Sequence, residues 1–220
     1  MAQKKSENLW QKGRKQMLND VTVFNIREYL SAKGDKDLGE DELRQLLSEF
    51  FCDKNPDVER FLKEQSIEFT KKNQSVTYLV FSNEDASLVG YFTITIKPIT
   101  VNAENFSNTM KRKIARVSEL DEENGTYTLS AYLIAQLGKN FKDGANEKIT
   151  GEQLLHAAVD TIKELQYMAG GMVIFLEAED NDKLMHFYED ENGFKQFDVR
   201  EMKCRDKDEI HKLVQLLKVM

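Results

Sequence analysis

Apolar residues along the chain follow two spacings, every second position in some stretches and every third or fourth in others. Alternating or continuous apolar runs predict strands, and these lie at residues 21–26, 76–81, 88–101, 126–138, 172–179 and 194–202. Helical spacing predicts helices near residues 43–50, 56–62, 110–117, 151–168, 181–191 and 210–217. The polar turn after residue 81 favours a hairpin, and the order of elements predicts an α/β fold with a mixed sheet.

The length and composition of the chain predict its domain organisation. With 220 residues, 40% of them hydrophobic and 31% charged, it is typical of one soluble domain. We expect that domain over residues 21–220, after a basic extension over residues 1–20. No apolar run has the length of a membrane span, and the amino terminus lacks the apolar centre of a secretory signal, so a cytoplasmic protein is expected.

Cysteine and histidine usage gives no indication of a metal centre. The two cysteines and three histidines are Cys52, Cys204, His156, His186 and His211. Their spacing matches neither a zinc motif nor a disulfide framework. We expect reduced thiols and no bound metal.

The start of the helix predicted over residues 151–168 is the first candidate for chemistry. Thr150 and Gln153 have the spacing of a capping box. A helix amino terminus presents unpaired N–H groups that suit a phosphate, and Gly151 permits a close approach of the backbone. A glycine at such a position also occurs for packing alone, so the motif by itself leaves both interpretations open.

The second candidate is the segment that follows the predicted buried strand at residues 172–179. It carries Asn181, Leu184, Tyr188 and the pair Gly193-Phe194. Alone, it is typical of an amphipathic helix with core aromatics. Together and in this order, the two segments resemble the GNAT N-acetyltransferases, in which a pyrophosphate-binding loop and long helix precede a strand and a helix of this pattern.

The resemblance implies a GNAT-like mixed, mostly antiparallel twisted sheet flanked by helices, with acetyl-CoA as the acyl donor. Pantetheine would pair with the backbone at the end of one strand, and pyrophosphate would bind the amides before the long helix. The donor-binding residues it implies are Leu137, Gly138, Lys139, Ile149, Thr150, Gly151, Glu152 and Asn181. The chain departs from the family in its loop, which retains only Gly151 of the glycine pattern and is lengthened by residues 140–148.

The resemblance also implies direct transfer of the acetyl group to an amine, without a cysteine nucleophile. Tyr188 stands at the family's position for the acid that protonates the departing thiolate. Glu177 is our candidate for the base, with Glu179 or a water held by Ser130 or Tyr132 as alternatives. Both glutamates are equally typical of a solvated rim.

Charge distribution bears on the acceptor. The chain has a net charge of −7, which disfavours diffuse attraction of nucleic acid, and acidic residues are concentrated over 177–191. This pattern favours a small cationic amine, a lysine side chain or an N-terminal amine. The alternatives are a toxin-like enzyme that acetylates aminoacyl-tRNA, with the basic stretch 111–116 contacting RNA or simply solvated, and a non-catalytic acyl-CoA-binding or interaction module. A homodimer is compatible with the sequence but not specified by it.

Overall fold

The computed structural model describes residues 16–18, 20–31, 39–203 and 210–220. The predicted basic extension lies outside the described residues except for positions 16–18 and 20. The described chain forms two compact units, the first ending at Thr95 and resuming over Gln136–Asp160, the second comprising Ile96–Ala135 and Thr161–Met220. The strands at residues 88–102 and 126–139 and the helix at residues 151–169 each contribute residues to both units.

The first unit contains an antiparallel ladder of strands covered by short helices. Its elements are β1 (Gln16–Leu18), β2 (Val21–Asn25), α1 (Arg27–Ser31), α2 (Glu40–Ser48), α3 (Pro56–Arg60), a π-helical turn (Phe61–Gln65), α4 (Ser66–Lys71), β3 (Val76–Ser82) and the first half of β4 (Leu88–Asn102). Strand β2 pairs with β1 and β3, and β3 pairs with β4, as in Val23 opposite Val80 and Tyr78 opposite Phe92. The hairpin expected from the sequence is therefore present.

Helices α2 and α3 form where the sequence predicts them. In α2, Leu43 and Leu47 are buried one turn apart against the core of this unit. Asn55 caps α3, because its side chain accepts a hydrogen bond from the Val58 N–H, and Pro56 occupies the first turn. The capped helix inserts Val58 into the same core.

The second unit is built on a mixed set of strands. Its elements are the rest of β4, a 3₁₀ turn (Ala103–Asn105), α5 (Asn108–Ile114), β5 (Leu120–Asp121), β6 (Thr126–Lys139, shared), α6 (Gly151–Ala169, shared), β7 (Val173–Glu179), α7 (Asp182–Met185), a π-helical turn (His186–Glu191), β8 (Lys195–Lys203) and β9 (Ile210–Val219). Strand β6 runs parallel to β7, whereas β7 with β9 and β8 with β9 are antiparallel. The predicted mixed, mostly antiparallel α/β fold is confirmed.

The end of the chain differs from the expectation. The sequence predicted a helix carrying Ile210, Leu213, Leu216 and Leu217, and this is wrong because residues 210–219 form strand β9. Strand β9 pairs on both sides, with β7 and β8. An inner strand with apolar contacts on both faces does not need a strict alternation of polar and apolar residues, so its pattern imitates helical spacing.

Smaller differences lie at element ends. Helix α5 ends at Ile114, and Val117, predicted to share its apolar face, is 57% exposed. The loop expected over residues 140–148 contains a 3₁₀ segment, Lys142–Lys148. Helix α1 follows β2 directly and buries Tyr29, and the short sequence REYLS gave too few positions to show a period.

Candidate active site

The end of strand β6 is packed so closely that only glycine fits at position 138. A Cβ atom at Gly138 would lie 2.4 Å from Cγ1 of Val58. Since side chains alternate across a strand, Leu137 and Lys139 lie on the opposite face from this contact. The glycine that the resemblance assigned to pantetheine is thus required by packing, and its backbone groups are the part left for any ligand.

Gly90 joins this strand end to the start of helix α6. A Cβ atom at Gly90 would lie 2.9 Å from the carbonyl oxygen of Gly138 and 3.2 Å from Cδ1 of Leu154. The predicted pantetheine strand and the first turns of the predicted pyrophosphate helix are therefore neighbours within the first unit.

A buried asparagine fixes the residues beyond the strand. The Asn140 Nδ2 atom donates to the Leu88 carbonyl at 2.8 Å and to the Glu49 carbonyl at 3.3 Å. Its Oδ1 atom accepts from the N–H groups of Phe51 at 2.9 Å and Lys142 at 3.1 Å. One side chain thus ties the end of β6 to β4 and to the segment between α2 and α3.

The loop before α6 is held by its own turn and by an ion pair. Asp143 adopts a left-handed conformation with φ of 50°, which carries the chain around the turn. Lys148 pairs with Asp85, and this hydrogen bond is the main reason that the pKa of Asp85 is lowered. Ile149 is buried, so the loop enters the helix from a fixed position.

Helix α6 begins with the predicted capping box. The Thr150 N–H donates to Oε1 of Gln153 at 2.8 Å, and the Gln153 N–H donates to Oγ1 of Thr150 at 3.0 Å. The helix geometry leaves the first-turn N–H groups of Gly151 and Glu152 for an outside acceptor. The Thr150 amide, also among the predicted pyrophosphate donors, is already bonded within the box.

Tyr188 lies in the π-helical turn His186–Glu191 of the second unit. Its ring packs edge-on against Phe187 at 4.9 Å and Phe194 at 6.0 Å between centroids. Desolvation by this burial raises the pKa of the Tyr188 phenol to about 12. The hydroxyl makes no hydrogen bond to any described residue, and π-helical turns recur at functional sites.

Asn181 caps helix α7. Its Oδ1 atom accepts from the N–H of Lys183 at 2.9 Å and of Leu184 at 3.4 Å. The side-chain oxygen therefore has a structural use, and the amide NH₂ is the group left to meet the predicted pantetheine arm.

Glu177, the base predicted from the sequence, has two partners in the second unit. Its Oε1 atom accepts from Nε2 of Gln215 at 2.6 Å, and its carboxylate pairs with Arg200 at 3.4 Å. Together the two partners hold the carboxylate in a fixed orientation. Glu179, the alternative, is exposed at the end of β7.

The remaining residues singled out from the sequence are Tyr132, Ser130 and His186. The Tyr132 hydroxyl donates to the Gly170 carbonyl at 2.5 Å, and burial raises its pKa. Ser130 is exposed on β6. His186 is exposed, and its Nδ1 atom lies 2.7 Å from Oδ2 of Asp190.

In the first unit the charge of one lysine affects the pKa of another. The Lys54 ammonium lies 4.7 Å from the centroid of the Phe141 ring. Desolvation lowers the pKa of Lys139, and the nearby charge of Lys54 lowers it further. These residues lie on separate elements, and no sequence signal relates them.

Two classes of site receive no support within the described ranges. No three His, Cys, Asp or Glu side chains in residues 20–31, 39–203 and 210–220 form a group that could hold a metal ion. No described helix has both the length and the apolar character needed to cross a membrane.

Comparison with solved structures shows a shared fold. One similar structure is AtaT complexed with acetyl-methionyl-tRNAfMet, with a TM-score of 0.56 and 16% identity over 89% of this chain and 94% of that one. Another is a tyrosine-to-phenylalanine mutant of KacT, with a TM-score of 0.55 and 16% identity over 91% and 95% of the two chains. A third is a tyrosine-to-phenylalanine mutant of the toxin AtaT, bound to the C-terminus of the antitoxin AtaR and to acetyl-CoA. Its TM-score is 0.50, with 14% identity over 91% of this chain and 94% of that one.

These similarities confirm the GNAT-like fold that the sequence predicted. No family model and no curated protein sequence matches the chain. The site residues named above stay predictions.

Proposed function

We propose that the protein is an acetyl-CoA-dependent N-acetyltransferase that transfers the acetyl group directly to an amine. The observation that carries the proposal is the capped start of α6 beside the end of β6, in a fold shared with an AtaT structure bound to acetyl-CoA. The helix start offers the N–H groups of Gly151 and Glu152 to an anion, together with the positive end of the helix dipole. Coenzyme A carries a pyrophosphate that fits this chemistry.

The donor would bind mainly through backbone groups. Pantetheine would lie along Leu137, Gly138 and Lys139 as an added strand, because amide groups of the ligand can pair with strand N–H and C=O groups. Gly138 keeps the chain close to Val58 and so fixes the position of this strand end relative to Val58. The Asn181 NH₂ group would donate to a pantetheine carbonyl.

Tyr188 would stabilise the leaving group. The amine nitrogen attacks the thioester carbonyl carbon, the C–N bond forms, and the C–S bond breaks with its electron pair on sulfur. The Tyr188 hydroxyl donates to this thiolate, which leaves as the thiol, and solvent restores the phenol. With a pKa of about 12, the phenol stays protonated throughout the neutral range. It can therefore stabilise the thiolate as a hydrogen-bond donor, whereas the raised pKa opposes complete transfer of its proton to sulfur.

The amine must lose a proton as the amide forms. Glu177 as its acceptor remains a prediction, and its contacts with Gln215 and Arg200 favour a structural role instead. If the amine enters neutral, water suffices to take the proton from the cationic intermediate. The two interpretations differ in the effect of Glu177→Gln.

Aminoacyl-tRNA is the second candidate acceptor, since its α-amino group is a suitable nucleophile. Two observations favour it: the fold shared with AtaT complexed with acetyl-methionyl-tRNAfMet, and the basic residues in and just after helix α5. Lys111, Arg112, Lys113 and Arg116 pair with no carboxylate in the described chain, and three of the four are exposed. Such cations suit phosphate groups, whereas the net charge of −7 favours a small amine.

The experiment that tests the function is thiol release from acetyl-CoA, measured with a panel of small amines, lysine peptides and aminoacyl-tRNA. We expect release that depends on one acceptor class and falls sharply in Tyr188→Phe. Raising the salt concentration separates the two candidates, because an enzyme acting on tRNA loses acceptor affinity steeply and one acting on a small amine does not. Coenzyme binding without acceptor-dependent release for any class would instead indicate a binding module.

A further inference from the structure

A buried asparagine, Asn192, caps the end of the π-helical turn His186–Glu191. Its backbone N–H donates to the Glu189 carbonyl. Its side chain reaches further back along the turn, where the Nδ2 atom donates to the Phe187 carbonyl at 2.7 Å. Asn192 is only 6% exposed, and the loss of a buried donor leaves its acceptor without a partner. The side chain therefore stabilises the end of the turn directly.

A lysine of strand β9 holds Asn192 from the sheet. The Lys218 Nζ atom donates to the Asn192 carbonyl at 2.9 Å and lies 5.8 Å from the centroid of the Phe194 ring. Strand β9 pairs with both β7 and β8, so its backbone has a fixed place in the sheet. The π-helical turn is thus tied to the sheet through Lys218 and Asn192.

These contacts act on the two rings that pack against Tyr188. The Tyr188 ring meets Phe187 at 4.9 Å and Phe194 at 6.0 Å between centroids. Asn192 bonds the backbone of the first ring's residue, and Lys218 lies over the second ring. The Phe194 N–H also donates to the Tyr188 carbonyl at 2.9 Å. The direction in which the phenol leaves the turn therefore depends on the bonds of Asn192 and Lys218.

We propose that Asn192 is a positioning residue for Tyr188 and holds the phenol where it meets the departing thiolate. The inference rests on the proposed function, because the chemical role of Tyr188 belongs to that function. Misplacing a catalytic group by about 1 Å can lower a rate by about 100-fold. The donor-binding amides at the start of α6 involve neither residue, so loss of the Asn192 bond should lower kcat and leave the KM for acetyl-CoA unchanged.

A double-mutant cycle separates positioning from general stabilisation. Asn192→Ala should reduce kcat about tenfold in the wild type but have no further effect in Tyr188→Phe, where the hydroxyl is already gone. Asn105→Ala is the matched control. The Asn105 Nδ2 atom also donates to a backbone carbonyl of the second unit, that of Phe197 in β8, at 2.9 Å. We expect the control to turn over as the wild type does.

Nuclear magnetic resonance tests the positioning without turnover. The ring protons of Tyr188, assigned by their absence in Tyr188→Phe, are shifted by the ring currents of the two phenylalanines beside it. Asn192→Ala should move these resonances towards those of an exposed tyrosine, and Asn105→Ala should leave them in place. Lys218→Met removes the donor to the Asn192 carbonyl at a partly exposed position, so it tests the same contacts if the buried variant does not fold.

The proposal is overturned if Asn192→Ala lowers kcat by the same factor in the wild type and in Tyr188→Phe, or leaves it unchanged in both. It is also overturned if the Tyr188 resonances of Asn192→Ala and Lys218→Met equal those of the wild type. Displaced resonances in a protein that releases no thiol would retain the link between Asn192 and the Tyr188 ring and reject the proposed function alone.

Discussion

Gly138 and Val58 lie so close together that a Cβ atom on the glycine would stand 2.4 Å from Cγ1 of the valine. Val58 is itself buried in the core of the first unit and belongs to a helix capped at Asn55. The contact therefore sets the distance between helix α3 and the end of strand β6, which is the strand end proposed to meet pantetheine.

Gly138→Ala should lower stability and donor affinity together. The added methyl group must displace Val58 or the strand, and overpacking of this kind costs about 1–3 kcal/mol in the free energy of unfolding. Urea unfolding and acetyl-CoA titration measure the two effects. Gln136→Ala, on the same strand at a position that already carries a side chain, is the control. An alanine variant as stable as the wild type would mean that the strand end is free to move.

Tyr188→Phe should reduce kcat about 100-fold at neutral pH, as expected for loss of a general acid. The phenyl ring keeps the packing against Phe187 and Phe194, so stability and donor affinity should change little. Tyr167→Phe is the matched control, because Tyr167 is 93% exposed. Equal turnover by Tyr188→Phe and wild type across the pH range would remove Tyr188 from the mechanism.

Alkaline pH should destabilise the protein through its buried phenols. Burial raises the pKa of Tyr29 and Tyr91 well above their ordinary value and that of Tyr188 to about 12. Folding thus favours the protonated phenols, and their contribution is complete below about pH 10. It falls as pH rises from there towards the folded-state values, by about 1.4 kcal/mol per pH unit for each phenol.

Denaturant unfolding between pH 9 and pH 11 measures this slope. Tyr91→Phe should flatten it while lowering stability at every pH, because the Val58 carbonyl loses the hydroxyl that donates to it at 2.6 Å. Tyr167→Phe should leave the slope unchanged. A slope that Tyr91→Phe does not alter would show that this phenol titrates normally in the folded protein.

The Glu177→Gln variant shows whether Glu177 acts as a general base or has only a structural role. If Glu177 serves only to hold Gln215 and Arg200, the Glu177→Gln variant should lose less than about threefold in kcat, with a modest loss of stability. A general base would instead cost about 100-fold or more, with the loss concentrated where the acceptor amine enters protonated. A pH–rate profile of the variant distinguishes the two.

Local signals in the sequence predicted much of the fold. The cap at Thr150 was visible because a capping box depends on residues three positions apart. The hairpin of β3 and β4 was equally local. Strand β9 was missed because its two-sided pairing, not its own pattern, determines its conformation.

The candidate site was predictable only where it repeats a short motif. Thr150, Gly151 and Tyr188 stand in such motifs. The contacts of Asn140 and the Gly138–Val58 packing join positions distant in sequence. One sequence carries no signal for such contacts, because they arise from the packing of separate elements.

Binding of acetyl-CoA, measured by calorimetry for the wild type and Gly151→Asp, tests whether the start of α6 holds the pyrophosphate of the acyl donor. Aspartate is compatible with a helix amino terminus, so the variant should fold, while its charge opposes a pyrophosphate at the N–H groups of Gly151 and Glu152. Ser107→Asp, at the start of α5, is the control for the added charge. We predict binding to the wild type and the control, and its loss in Gly151→Asp. Equal affinity for all three proteins, or no binding to any of them, would rule out a donor pyrophosphate site at the start of α6.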